Sequence, residues 1–155
     1  MSIGKLGNLK WLKLRKGAEL EPIDFVTTFA MGNLKTLLHL DISWCSKIDD
    51  AGLIAIAKNC PTLETLRLEC CYEITDVGLA WVVNKCKYLI NLNLCAVVRL
   101  SGDFLLDINK LLVGLQLLDL EWCQGVELSV LEDLVRQNMD LVIKDYYGEI
   151  VTLSQ

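Results

Sequence analysis

Leu37-Leu38-His39-Leu40-Asp41-Ile42-Ser43-Trp44-Cys45 and Leu63-Glu64-Thr65-Leu66-Arg67-Leu68-Glu69-Cys70-Cys71 are one phrase written twice, 26 residues apart. The interval persists along the chain. Leu37, Leu63, Leu89, Leu115 and Leu141 form one column, Leu40, Leu66, Leu92 and Leu118 a second, and Ile42, Leu68, Leu94 and Leu120 a third. Cys45, Cys71, Val97 and Cys123 close the phrase. An earlier copy begins at Leu9, with Leu12 and Leu14 in register and Gly17 in the cysteine position, and its loop around Glu21-Pro22 is two residues longer. Within each phrase the alternating leucines describe a short strand, and the residues that follow switch to a helical period. Leu53, Ile56, Ala57 and Cys60 are spaced i, i+3, i+4, i+7, as are Leu79, Val82, Val83 and Cys86, while Leu105, Ile108 and Leu112 form a looser copy. Asp50 and Asp76 stand just before two of these helices, where carboxylates can cap the free N–H groups, and Cys60-Pro61 ends the first helix. One such unit cannot bury its own apolar face, whereas stacked units share a continuous core. Parallel strands stack about 4.8 Å apart and helices about 8–10 Å apart. The predicted fold is therefore an α/β solenoid shaped as a horseshoe segment, with a curved parallel sheet on the concave side and helices on the convex side.

The 155 residues, 53% of them hydrophobic, fit a single domain over 1–155 with repeats starting near 9, 37, 63, 89 and 115. Leu141 opens an irregular closing strand near 141–147, with Lys144 where a buried leucine belongs and Tyr146 where the next one does. The 31 leucines raise the mean hydropathy to +0.39, yet the longest apolar runs, such as Leu53–Ala57 and Leu79–Val83, are five residues long. A membrane span needs about 20, so no membrane role is expected. Lys5, Lys10 and Lys13 interrupt the first apolar stretch, which excludes a secretory signal, and Ser2 excludes N-myristoylation. The expected location is cytoplasmic or nuclear. A net charge of −5 and a pI near 4.9 argue against nucleic-acid binding. Leucines begin almost at the first residue with no amphipathic helix ahead of them, so the chain is expected to be a fragment of a longer protein; the decaying pattern at the other end reads as a natural terminus.

Seven cysteines raise the question of metal or disulfides, but the period places Cys45, Cys71 and Cys123 in one core column and Cys60 and Cys86 in another, leaving only Cys70 and Cys95 outside the core. With one histidine, His39, and no paired C-x-x-C, neither a metal nor a cofactor is expected. His39, Asp41 and Ser43 alternate onto one side of a strand, which makes a hydrolase trio geometrically conceivable. No glycine-rich phosphate loop accompanies them.

The informative surface is the set of positions flanking the strand leucines. Trp11, His39, Thr65, Asn91 and Leu117 make one outward column, Lys13, Asp41, Arg67, Asn93 and Asp119 a second, and Arg15, Ser43, Glu69, Cys95 and Glu121 a third. A fourth, Lys16, Trp44, Cys70, Ala96 and Trp122, begins the loop. The charge is graded from basic in the first repeat to acidic later, which suits a protein partner of mixed charge. The residues expected to contact it are His39, Asp41, Trp44, Arg67, Glu69, Asn93, Asp119, Glu121 and Trp122, with a local Arg67–Asp41 ion pair as the competing role for Arg67. Tryptophan is favoured because it is enriched in binding hot spots, and Arg67 because Asp41 and Asn93 occupy the adjacent repeats of its column.

The motif L-x-[LI]-x-x-C-x-x-I-[TD]-D-x-G-L, carried by Leu40–Leu53 and Leu66–Leu79, resembles the cysteine-containing class of leucine-rich repeats. This class is best known from F-box/leucine-rich-repeat proteins, the substrate receptors of cullin-RING ubiquitin ligases. The resemblance covers roughly residues 9 to 147 and implies a right-handed β-α superhelix with no enzymatic activity. It also implies substrate recognition by the repeat arc of a ligase receptor, whose ligase subunits would bind through an F-box region that this chain does not carry. The alternative is a general scaffold or regulatory leucine-rich-repeat protein with no ubiquitin link.

Overall fold

The computed structural model describes residues 8–17, 19–31 and 34–153. Strands and helices alternate: β1 (Trp11–Lys13), α1 (Pro22–Met31), β2 (His39–Asp41), α2 (Asp50–Asn59), β3 (Thr65–Arg67), α3 (Asp76–Lys85), β4 (Asn91–Asn93), α4 (Ile108–Leu111), β5 (Leu117–Asp119), α5 (Leu128–Gln137) and β6 (Val142–Lys144). The strands form one parallel sheet in chain order. Register follows the sequence period from β1 to β5, with Leu12, Leu40, Leu66, Leu92 and Leu118 side by side. This is the α/β solenoid that the period predicts. Leu40, Ile42, Leu66, Leu68, Leu92, Leu94, Leu118 and Leu120 are buried in a continuous core with Leu53, Leu79, Leu105 and Leu131 from the helical half of each turn.

The final strand departs from the predicted register. Leu118 pairs with Ile143 and Asp119 with Lys144, so the last interval is 25 residues. A one-residue slip exchanges the two faces of a strand. Here it puts Ile143 in the core and brings Lys144 out to the concave side, correcting the expectation that Lys144 and Tyr146 replace buried leucines. The strand is also shorter than 141–147: after Lys144 the chain turns at Asp145, and Val151 N–H bonds back to the Ile143 carbonyl at 2.9 Å. At the opposite end, Leu9, Leu12 and Leu14 are only partly buried. The expectation about what precedes them falls on residues 1–7, outside the described residues.

The aspartates do something different from capping their own helices. Asp49 caps α2, accepting from Gly52 N–H at 3.0 Å, and Thr75 caps α3 through Val77 N–H at 3.2 Å. Asp50, the first residue of α2, reaches across to the next repeat and accepts from Thr75 N–H at 2.9 Å, Thr75 Oγ1 at 2.6 Å and Gly78 N–H at 3.1 Å. Asp76 repeats the bond one turn on, accepting from Ser101 N–H and hydroxyl and from the N–H groups of Gly102 and Phe104. Each carboxylate thus satisfies the free donors at the start of the following helix and sits at its positive end. A Cβ on Gly78 would lie 2.5 Å from Asp50 Oδ1, so the close approach requires glycine there. The equivalent of Asp76 one period later is Gly102, and the regularity ends with it. The fourth turn breaks into a 3-10 turn at Asp103–Leu105 and the four-residue α4. The N-cap of α5, Glu127, makes no side-chain cap bond.

Candidate protein-binding face

Three-residue strands with leucine in the middle turn their flanking residues away from the core, and the register aligns these into columns. Lys13, Asp41, Arg67, Asn93, Asp119 and Lys144 run across all six strands. Asp41, Asn93 and Asp119 each accept from the backbone N–H two residues on, at 3.1, 3.2 and 3.2 Å, an Asx-type bond that turns the chain out of the strand. Arg67, which has only donors, interrupts that series.

The charges along this face are paired locally. Arg15 lies between Asp41 and Glu69, 3.5 Å from each carboxylate. Asp119, only 5% exposed, holds Lys144 Nζ at 3.1 Å and Asn93 Nδ2 at 3.3 Å. The hydrogen bond to Asp119 pushes the Lys144 ammonium above its ordinary pKa. Glu121 accepts the indole N–H of Trp122 at 3.1 Å. Arg67 is exposed and has no ion pair among the described residues; the competing Arg67–Asp41 pair does not form, and Asp41 pairs with Arg15 instead. Beside it Trp11, 69% exposed, stacks on His39 with ring centroids 3.6 Å apart. These residues, with Lys13, Asp41 and Thr65, line a hollow of about 380 Å³ in the N-terminal part of the face.

The loop column has a property that its composition hides. Lys16, Trp44, Cys70, Ala96 and Trp122 have φ between 56° and 66°, the left-handed conformation that glycine usually supplies. Each donates its N–H to the neighbouring repeat, as in Trp44 to Glu69 O at 2.7 Å and Ala96 to Glu121 O at 2.7 Å, extending the ladder past the strand. Trp44 and Trp122 are thereby fixed at the rim with their rings outward, 43% and 55% exposed. Trp122 packs edge-on against Tyr146 at 5.6 Å. No glycine marks these positions, so only the column alignment could have singled them out.

The core cysteines are positioned as predicted, and their thiols donate across repeats: Cys45 to Leu14 O at 2.9 Å, Cys71 to Ile42 O at 3.4 Å and Cys123 to Leu94 O at 3.1 Å. Burial pushes the Cys60, Cys86 and Cys123 thiols up to about 12. Cys70, outside the core columns in the sequence, shares the left-handed backbone of Trp44 and Trp122, yet its small side chain is only 6% exposed and stands apart from the main core cluster. Among the described residues no group of three or more His, Cys, Asp or Glu is placed to hold a metal ion.

Ser43 is a further correction. It is fully buried, and its hydroxyl has no hydrogen-bond partner, as is also true of the buried Nδ1 of His39. Asp41 is engaged by Ser43 N–H and Arg15. The hydrolase trio is therefore not assembled: no bond links acid to imidazole at Nδ1 or base to hydroxyl.

Of the predicted contact residues, the structure gathers His39, Asp41 and Arg67 around the hollow and Asn93, Asp119, Glu121 and Trp122 toward the C-terminal end, with Glu69 between the two groups. Asp119 is too buried to offer a free carboxylate. Trp11, Lys13, Arg15 and Lys144 belong to the same face and were not among the predicted contacts, although the period already placed the first three in its columns.

Six parallel strands in chain order, helices between them and leucine columns in register define a leucine-rich-repeat solenoid. The Leucine Rich repeat family model matches residues 33–57 and 59–80 of the chain. The chain is similar to "Antagonist of mitotic exit network protein 1" from Eremothecium gossypii, with 40% identity over 63 residues, which is 41% of this chain and 16% of that protein. Its fold is similar to that of a chain in the crystal structure of the Rad7 and Elc1 complex in yeast, with a TM-score of 0.74 and 16% identity over 92% of this chain and 33% of that one. The chain therefore spans a sixth of the curated relative and a third of the solved chain. Repeat stacks of this kind present extended concave surfaces to other proteins. No helix among the described residues is long and apolar enough to cross a membrane.

Proposed function

We propose that the chain is a non-enzymatic protein-recognition module that grips a protein partner on its concave sheet and loop rim, and that it serves as the substrate-recognition arc of an F-box-type ubiquitin ligase receptor in the cytoplasm or nucleus. One observation carries the recognition reading: six strands hold their outward side chains in register, so residues as distant in sequence as Trp11 and Lys144 form one contiguous face. The ligase context draws on the repeat motif of Leu40–Leu53 and Leu66–Leu79. It gains support from a neighbour of the same fold, a chain in the complex of Rad7 and Elc1. The relative named as a mitotic exit network antagonist favours a second reading, a regulatory repeat protein with no ubiquitin link.

Affinity purification with the wild type, an Arg67→Ala, Glu69→Ala double variant and a helix-side Lys110→Ala control tests the face. Partners should be lost from the double variant and retained by the control. Equal recovery with all three would refute the concave-face reading. Cullin-RING subunits among the partners of the full-length product support the ligase role, and their absence favours the regulatory alternative.

A further inference from the structure

The graded charge of the sequence suggests a partner of mixed charge, but the paired side chains of the folded face alter that expectation. Asp41 and Glu69 share Arg15, Asp119 holds Lys144 and Asn93, and Glu121 holds the Trp122 indole. Two cations of the same column, Lys13 on β1 and Arg67 on β3, have no partner among the described residues, and both are exposed. In a chain of net charge −5 this is a local reversal of sign. Both residues line the hollow of about 380 Å³, whose wall is the Trp11–His39 stack.

We propose that this corner takes an extended acidic peptide segment of the protein partner, with one Asp or Glu carboxylate on Arg67, another on Lys13, and an apolar side chain against the face of Trp11. The inference rests on the concave-face reading above and names the chemistry of its partner. Two strand spacings separate Lys13 from Arg67, roughly 10 Å at about 4.8 Å each, and a peptide in the extended polyproline II conformation covers that distance in three residues at about 3.1 Å each, with the first and fourth side chains on the same side. The spacing suits two carboxylates along a peptide better than a single phosphate, which would need both cations on one group. The exposed indole supplies apolar area that the two charges lack, and a guanidinium aligned with a carboxylate gives a paired, oriented contact.

The test is titration of the intact chain with a fluorescent Glu-x-x-Glu peptide carrying a central leucine, alongside its Gln-x-x-Gln and phosphoserine counterparts, with the Trp11 indole and Arg67 side-chain signals followed by NMR. The glutamate peptide should bind with salt-dependent affinity and shift both signals, and the glutamine peptide should bind about tenfold or more weakly. Arg67→Ala and Lys13→Ala should each weaken binding about five- to tenfold, with Arg67→Lys between Arg67→Ala and wild type. Both side chains are exposed, and circular dichroism verifies that the variants fold. Equal binding of the glutamate and glutamine peptides, indifference to loss of both cations, or shifts confined to the other end of the face would overturn the proposal. Absence of binding at millimolar peptide would overturn it too, and tenfold tighter binding of the phosphoserine peptide would overturn its choice of carboxylate. A partner that requires Asn93 or Trp122 but neither Lys13 nor Arg67 defeats this inference alone, whereas one indifferent to the entire face defeats the proposed function as well.

Discussion

Replacing Asp50 by alanine should destabilise the chain more than any change of helix propensity would suggest. Its carboxylate accepts three hydrogen bonds from the following repeat, two from the backbone N–H groups of Thr75 and Gly78 and one from the Thr75 hydroxyl. A hydrogen bond to a charged group contributes about 1.5–3 kcal/mol, and the aspartate gains a few tenths to 1 kcal/mol more from the helix dipole. Asp50 and Thr75 are half-buried, so water recovers part of what is lost, while Gly78 is buried and its N–H is left without an acceptor. We expect a loss of about 3 kcal/mol. With a urea slope of about 2 kcal/mol/M the unfolding midpoint should fall by about 1.5 M. Asp50→Asn, which keeps an acceptor oxygen and loses the charge, should cost about half as much. Native-state hydrogen exchange should show the Gly78 amide losing protection first. A midpoint shift below about 0.3 M, with the Gly78 amide still protected, would refute the view that the carboxylate joins the two repeats.

Four further outcomes follow from the same structure. Gly78→Ala should destabilise by about 2 kcal/mol despite the roughly 1 kcal/mol helix preference of alanine, because the new Cβ would sit 2.5 Å from Asp50 Oδ1; a rise in the denaturation midpoint would contradict this. Ala96→Gly should stabilise by about 0.5–1 kcal/mol, since it relieves a left-handed backbone at φ 56° worth about 1–2 kcal/mol and gives part of that back to unfolded-chain entropy; thermal melting would detect it. Raising the pH should weaken the fold between 9 and about 12. Cys60, Cys86 and Cys123 keep their protons there while the unfolded chain, with thiols near 9.0, releases them, so stability is full below pH 9 and falls by about 1.4 kcal/mol per unit for each thiol, measurable by urea titration across that range. Lys144→Leu should destabilise by about 1–2 kcal/mol, because it strips the buried Asp119 of its ammonium partner; a gain in stability would restore the strict 26-residue register that the structure rejects.

Much of the fold was legible because a repeat states its core several times over. A single leucine at position 66 is ambiguous, but leucines at 40, 66, 92 and 118 can share one environment only if the strands align, and the alignment then names the outward residues as well. What escaped the sequence lies where the period carries no information. The slip at β6 depends on whether Ile143 or Lys144 is buried, a packing decision made against β5. The left-handed loop residues are Lys, Trp, Cys, Ala and Trp, none of them a residue that signals positive φ, so the constraint comes from the neighbouring repeat's carbonyl and not from the residue itself. Charge pairing also escaped: the columns correctly place Asp41, Glu69, Asp119 and Glu121 on one face, yet which of them remain free depends on the reach of Arg15, Lys144 and Trp122. Ser43 obeys the alternation in position, but its short side chain is fully buried where the longer Arg15 and Glu69 of the same column reach solvent.

The carboxylates of Asp50 and Asp76 point one way along the chain, each belonging to one turn and serving the next. That directionality gives the protein a grammar for growth. A crossover that adds or removes one whole period anywhere in this stretch still delivers an aspartate to the start of the following helix, wherever the cut falls. One that is out of phase by even a residue breaks a polar joint as well as a leucine column. Selection for foldability therefore polices the length of insertions between these joints, and this stretch of the arc is lengthened in whole turns.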